Sequence, residues 1–278
     1  MDYITQGTTK RYAGNKNCSY NNFELTTSDM YQYGCEFEFY INTDTYAYDI
    51  AIDEISKNIY TLTDADILVD TINLPTDNDK NHCIQIKPDI SLEDNGIEIS
   101  VPITTQAGIE HFIQMICPII DKYGYTNRET GFHMHISTTK KNGINFNFYK
   151  YMLLCHKADL LSSWKPRDGY SHNVMDILSR NSKQISRKIK TKKGTIWNLE
   201  KIEPNHVEIK SIGGDGYHQE IGKITKEFLA YSKYFNQTLE KDTDEIKSMY
   251  KEHKEQLKQL SLELNAQFEN ALSEAGIL

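Results

Sequence analysis

Three short stretches place charged or ligand-type side chains two residues apart: Glu36-x-Glu38, His133-x-His135 and Glu208-x-Lys210. Each lies among β-forming residues, in Gly34-Cys-Glu-Phe-Glu-Phe-Tyr40, Gly131-Phe-His-Met-His-Ile136 and His206-Val-Glu-Ile-Lys210. Residues i and i+2 of a strand share a face, so each stretch aims two polar groups one way and its apolar residues the other. The apolar side must be the packed one. A fourth stretch, Gly96-Ile-Glu98-Ile-Ser-Val-Pro102, sets another carboxylate in an apolar frame. Two carboxylates on one strand face repel and lose hydration, at a cost on the order of 1 kcal/mol, unless a cation lies between them. Oxygen-rich ligation favours hard ions, Mg²⁺ or Mn²⁺, and a floor of acids and imidazoles suits phosphates carried by such ions.

These strands need a frame to bring them together. Tyr31–Ile41 reads as one strand, Cys83–Pro88 and Gly96–Val101 as two joined by the turn-prone Ser91-Leu-Glu-Asp-Asn-Gly96, and Gly131–Ser137 as a fourth. Thr195–Leu199 and His206–Ser211 read as paired strands around Glu203-Pro-Asn205. Between them lie helical patterns. Residues 47–59 carry Ile50, Ile52 and Ile55, and residues 64–73 follow with Thr63 or Asp64 as cap. Thr104 or Thr105 caps a helix whose one face holds Ile109, Phe112, Ile113, Ile116 and Ile120, ended by Gly124 and kinked by Pro118. Residues 145–163 and 218–236 are further amphipathic helices. Residues 1–30 form an N-terminal arm, residues 31–240 the main body, and residues 241–278 a long C-terminal amphipathic helix. The fold class is therefore α+β, an antiparallel sheet flanked by helices.

Composition narrows the function. The chain has 278 residues, 18 Tyr and 10 Phe, enough apolar area for one large domain with appendages. Its net charge of −8 argues against nucleic acid as a general partner. One segment, 165–193, departs from this with nine Lys/Arg against Asp168 and Asp176, a net of +7 that leaves about −15 elsewhere. Five scattered cysteines without C-x-x-C spacing read as reduced thiols. The start, Met1-Asp-Tyr-Ile-Thr, has no basic stretch leading into an apolar core. No apolar run nears the ~20 residues that span a bilayer, so a cytoplasmic protein without a membrane part is expected.

The ordered set Gly34-Cys-Glu36-Phe-Glu38-Phe, Asp89-Ile-Ser-Leu with Gly96-Ile-Glu98-Ile-Ser-Val-Pro102, Thr130-Gly-Phe-His133-Met-His135-Ile-Ser and Asn205-His-Val-Glu208-Ile-Lys210 resembles the amidoligase family. That family is related to glutamine synthetase and glutamate–cysteine ligase, carboxylate–amine ligases that use ATP. The resemblance spans roughly residues 31–236. It implies a curved, half-barrel sheet whose concave face holds ATP and divalent ions, Mg²⁺ or Mn²⁺. By position, Glu36, His133 and Glu208 would ligate the ion on the nucleotide phosphates. Glu38 and Glu98, with Asp89 in reserve, would hold the ion nearer the acid substrate. His135 would lie beside the nucleotide. Lys210 stands where the family usually has Arg, and meets phosphate as a point charge rather than a fork. For the transferring phosphoryl group, the basic segment offers Arg180, Lys183, Arg187 and Lys193. The partners implied are a carboxylate and an amine, small or peptidic.

Two other readings compete. His133-x-His135 with a carboxylate is a zinc hydrolase arrangement. A chain that keeps the sheet but has lost catalysis would work as a scaffold through its arm and C-terminal helix. Ile246, Met249, His253, Leu257, Leu260, Leu264, Phe268 and Leu272 have near-3.5 spacing, which allows either packing on the body or pairing with a second copy. Sizing a chain truncated after residue 240 separates these: pairing predicts loss of the oligomer, packing predicts an unchanged assembly.

Overall fold

Alternation decides which way the central strands face. A computed structural model describes residues 10–12, 30–63, 66–69, 83–139 and 206–239, with isolated positions 151, 152, 154, 155, 158, 160, 163, 164, 197, 244, 248, 251, 252 and 255. Its strands are β1 (Lys10–Tyr12), β2 (Tyr31–Ile41), β3 (Asp66–Val69), β4 (Cys83–Pro88), β5 (Gly96–Ser100), β6 (Gly124–Tyr125), β7 (Gly131–Thr138) and β8 (His206–Gly213). Its helices are α1 (Tyr48–Thr63), α2 (Gln106–Tyr123) and α3 (Ile221–Thr238). The strands form one open sheet in the order β1-β3-β4-β5-β2-β7-β8, with β6 paired to the end of β2. All pairings are antiparallel except β3 with β4, which run parallel. The fold is mixed α+β.

Odd-numbered β2 residues Cys35, Phe37, Phe39 and Ile41 are fully buried, as are Ile97 and Ile99 of β5, Ile84 and Ile86 of β4, Phe132, Met134 and Ile136 of β7, and Val207 and Ile209 of β8. Burying each such side chain contributes roughly 1.5–3 kcal/mol. They join the helices in one core: Ala51, Ile52, Ile55 and Ile59 of α1, Ile109, Phe112, Ile113, Ile116 and Ile120 of α2, and Ile224, Phe228, Tyr231 and Phe235 of α3. The opposite sheet face is left to the polar residues of the same strands.

Local chemistry explains several boundaries. The Thr105 hydroxyl accepts from the Gly108 N–H at 3.2 Å and caps α2. Pro118 sits inside α2 on its exposed side. In the β4–β5 turn, Asp89 Oδ1 accepts from the Ser91 N–H at 2.7 Å, and Asn95 takes φ of 72°. A Cβ on Gly96 would lie 2.3 Å from Leu92 Cβ, so the turn closes only around glycine.

The structure departs from the sequence reading in places. Residues 66–69 form a strand, not a helix: Ile67, Leu68 and Val69 are all buried, as an inner parallel strand covered on both faces requires. Ile50 of α1 is 57% exposed and is not a core position; Ala51 and Ile59 are. Within the arm, Lys10–Tyr12 is an edge strand on β3. Trp197 is buried and bridges Ile209 of β8, in keeping with the paired strands expected there. Residues 151, 152, 154 and 155 are helical, as are 244, 248, 251, 252 and 255, while the rest of the 145–163 and 244–272 patterns lies outside the described residues. Among the described residues no helix is long and apolar enough to cross a membrane.

Gly124, at the end of α2, is packed so closely that a Cβ would fall 2.4 Å from the Tyr40 carbonyl oxygen and 2.6 Å from Phe39 Cδ2. Gly124→Ala is expected to destabilise by about 1–3 kcal/mol, seen as a lower urea midpoint. Gly222→Ala is the control: it adds a Cβ with nothing within 4 Å, at an exposed helical position, and should be neutral or slightly stabilising.

Candidate metal centre

Strand register brings the singled-out residues to one place. β2 pairs with β7 so that Glu36 faces His133 and Gly34 faces His135. It pairs with β5 so that Glu38 faces Glu98 and Glu36 faces Ser100. β7 pairs with β8 so that His135 faces Glu208. Between Phe132 and Met134 this register slips, leaving Lys210 and Ser211 together opposite His133. Such a bulge re-aims side chains without breaking the sheet. Directly paired residues share a face, so Glu36, Glu38, Glu98, His133, His135 and Glu208 line one side of four neighbouring strands.

The contacts follow. His133 Nδ1 lies 3.1 Å from Glu36 Oε2 and 4.0 Å from Glu208 Oε1, and its Nε2 lies 3.3 Å from Glu38 Oε1. Protonated at both nitrogens, this ring would set a positive charge among three carboxylates. His135 Nε2 lies 3.3 Å from Glu36 Oε1, and its Nδ1 is 3.3 Å from Nε2 of His206, on which it stacks with the rings 13° apart. Lys210 Nζ is 3.4 Å from Glu208 Oε1, and Lys87 Nζ is 2.8 Å from Glu98 Oε1. Ser100 donates a short hydrogen bond to Glu98. Glu38, His133 and Glu208 are buried, at 5%, 4% and 1% exposure, which makes uncompensated charge there costly.

Burial pushes the Glu36 carboxyl up, but the neighbouring His135 and His133, through charge and hydrogen bonds, outweigh it and hold Glu36 well below the usual carboxylate range. Glu98 goes the other way. Burial and the Glu36 charge raise it more than Lys87 and Ser100 lower it. One acid is thus held ionised while burial and that neighbouring charge resist ionisation of the other.

Two groups of three donors arise. Glu36, His135 and Glu208 present ligand atoms all within 4.8 Å of one another, as do Glu38, Asp89 and Glu98. The donor sets fit hard or borderline divalent ions: the first mixes one imidazole with carboxylates, the second is all oxygen. The resemblance implies His133 in the first group and His135 beside the nucleotide. The structure brings His135 into that group and sets His133 between the two, touching Glu36 and Glu38. Asp89, the reserve acid, completes the second group. Arg180, Lys183, Arg187 and Lys193 lie outside the described residues. Trp164 Nε1 donates to Glu227 at 2.8 Å and Lys223 covers its ring.

Sequence reasoning missed a clamp behind the site. The Tyr217 hydroxyl, wholly buried, donates to the Glu38 carbonyl at 3.0 Å, a contact between residues 179 apart in sequence. The adjacent His218 lies 3.4 Å by Nε2 from Asp121 and 3.0 Å by Nδ1 from the Thr126 hydroxyl. Thr126 in turn accepts from the Gly216 N–H at 2.9 Å. With Nε2–H directed at Asp121, Nδ1 accepts from Thr126, so His218 fits here as the neutral ring. The turn after β8 is thereby tied to β2 and to the end of α2.

No family model matches the chain, and no curated protein does. Among solved structures it is similar to Plasmodium falciparum glutamine synthetase, with a TM-score of 0.37 and 14% identity over 75% of this chain and 52% of that one. The chain spans about half the length of that protein. A likeness this slight fixes neither fold nor activity.

The clamp has a pH signature. Burial lowers the His218 pKa below its ordinary 6.5, more than Asp121 raises it. The unfolded chain then binds this proton more readily, so the contribution to stability is complete above about 6.5 and is lost as pH falls toward the depressed folded value. The urea midpoint of the wild type should fall between pH 7 and pH 5.5, and His218→Gln should flatten that fall. An equal slope in both proteins would contradict the neutral clamp.

Proposed function

We propose that the chain is an ATP-dependent carboxylate–amine ligase of the amidoligase type. The observation that carries this reading is the pair of three-donor groups on one polar sheet face, linked by His133 through Glu36 and Glu38. The ordered motifs of the sequence supply these same residues from separate strands that the fold sets side by side. Glu36, His135 and Glu208 would hold one divalent ion on the nucleotide side, and Glu38, Asp89 and Glu98 a second nearer the acid substrate. Bound Mg²⁺ or Mn²⁺ would neutralise the nucleotide and acid charges and steady the phosphoryl group for in-line transfer.

The chain's own residues then have separable tasks. His133 fixes the orientation of both Glu36 and Glu38. Lys210, 3.4 Å from Glu208, presents an ammonium at the rim of the first group where a phosphate would approach. Arg180, Lys183, Arg187 and Lys193 are the proposed partners of the transferring phosphoryl group. The chemistry is transfer of the γ-phosphoryl of ATP to a carboxylate, giving an acyl phosphate and ADP. Attack by an amine then expels phosphate and leaves an amide. A carboxylate oxygen leaves poorly and a phosphate leaves well, which is why the nucleotide is spent.

A zinc hydrolase on His133-x-His135 needs both imidazoles at one ion. Among the described residues His133 Nδ1 lies beside Glu36 and Glu208 and its Nε2 beside Glu38, and a second, all-oxygen group of Glu38, Asp89 and Glu98 goes beyond what one zinc uses. The geometry therefore favours the two-group reading.

Glu36→Ala, Glu38→Ala and His133→Ala are each expected to lower Mg²⁺-dependent ADP release at least about 100-fold, as loss of a transition-state electrostatic contact does. Each should also lose the rise in melting temperature that Mn²⁺ gives the wild type. Wild-type turnover in all three would rule out the site.

A further inference from the structure

Lys87 belongs to neither donor group. It lies on β4 directly opposite Glu98 of β5, and its Nζ is 2.8 Å from Glu98 Oε1. Its side chain is 36% exposed, against 12% for Glu98, so it reaches the acid from the solvent side. The acid it meets belongs to the all-carboxylate group of Glu38, Asp89 and Glu98, which contains no imidazole. Two residues along, Asp89 extends from the same strand end toward the same group.

We infer that Lys87 is the built-in counter-cation of the second acid group: its ammonium neutralises Glu98 until a divalent ion enters, and the ion must displace it. This rests on the metal reading of the site proposed above. The ammonium sits on one oxygen of the carboxylate that an ion in the second group would use, and two cations held on one carboxylate repel strongly. A lysine is suited to such a role. Its charge is compact and its four-carbon stem is flexible, so it can withdraw to water without disturbing the strand. Three consequences follow. Glu98 is compensated in the metal-free protein, the second ion binds more weakly than the first, and only an ion of higher charge than the ammonium displaces it effectively.

The test is Mn²⁺ titration of the full chain followed by electron paramagnetic resonance. The wild type should show two classes of site. Lys87→Met should tighten the weaker class about tenfold or more and leave the other within about threefold, because one competing charge is removed from one group. Lys87→Arg, which keeps the charge, should stay near the wild type. An unchanged or weaker second class in Lys87→Met overturns the inference while the metal reading stands. No Mn²⁺ binding in either protein overturns both. A second measurement does not depend on the folding of the methionine variant. In the wild type with ¹³C-labelled lysine, the Lys87 side-chain resonance, assigned by its loss in Lys87→Arg, should move as Mg²⁺ fills the weaker class. A resonance that stays fixed while that class fills overturns the displacement.

Discussion

The two-residue period of a β-strand forces acids of like charge onto one surface. Glu36 and Glu38 cannot point apart, and strand pairing sets Glu98 directly across from Glu38. Like charges in that relation destabilise a sheet. The fold sets basic side chains beside them, His133 between Glu36 and Glu38, Lys210 at Glu208 and Lys87 at Glu98. Such an arrangement is expensive if its only purpose is stability, since isosteric apolar residues would serve as well or better. It makes sense when the acids await a more highly charged guest.

The rest of the molecule keeps those acids in register. The reverse face of the same strands is apolar and locked against α1, α2 and α3, so no donor can turn over without tearing a core residue out. Tyr217 holds the backbone of Glu38 itself, and the neighbouring His218 fastens that turn to Thr126 and Asp121. Donors on paired strands with a hydrogen-bonded backing are more precisely held than donors on loops. The same rigidity separates the roles of two similar residues. His133 lies at the register slip and faces two carboxylates, while His135 one step on faces Glu208 and stacks on His206.

Much of this was legible from residue types alone. The ends of β2 and β4, the start of β5 and the Gly124 stop follow from alternation and capping chemistry, and the cap of α2 is narrowed to Thr104 or Thr105, of which Thr105 serves. The shared polar face follows too, because a period of two admits no other solution once the apolar side is buried. What stayed hidden was set by distant contacts. Asp66–Val69 carries three buried residues in succession, a pattern that a short inner strand shares with a helix. The one-residue slip in β8 that re-aims the chain beside His133 is announced by no local signal. Lys87, next to Pro88 at a strand end, resembles any surface lysine until pairing sets it against Glu98. Tyr217 and Glu38 meet across almost the whole described chain.

The most direct test of the account is diffraction from crystals grown with Mn²⁺, using the metal's anomalous signal. The account predicts two peaks on the polar face, one bounded by Glu36, His135 and Glu208 and the other by Glu38, Asp89 and Glu98. Manganese found only elsewhere on the protein, with these acids still held by their lysine and histidine partners, would contradict it.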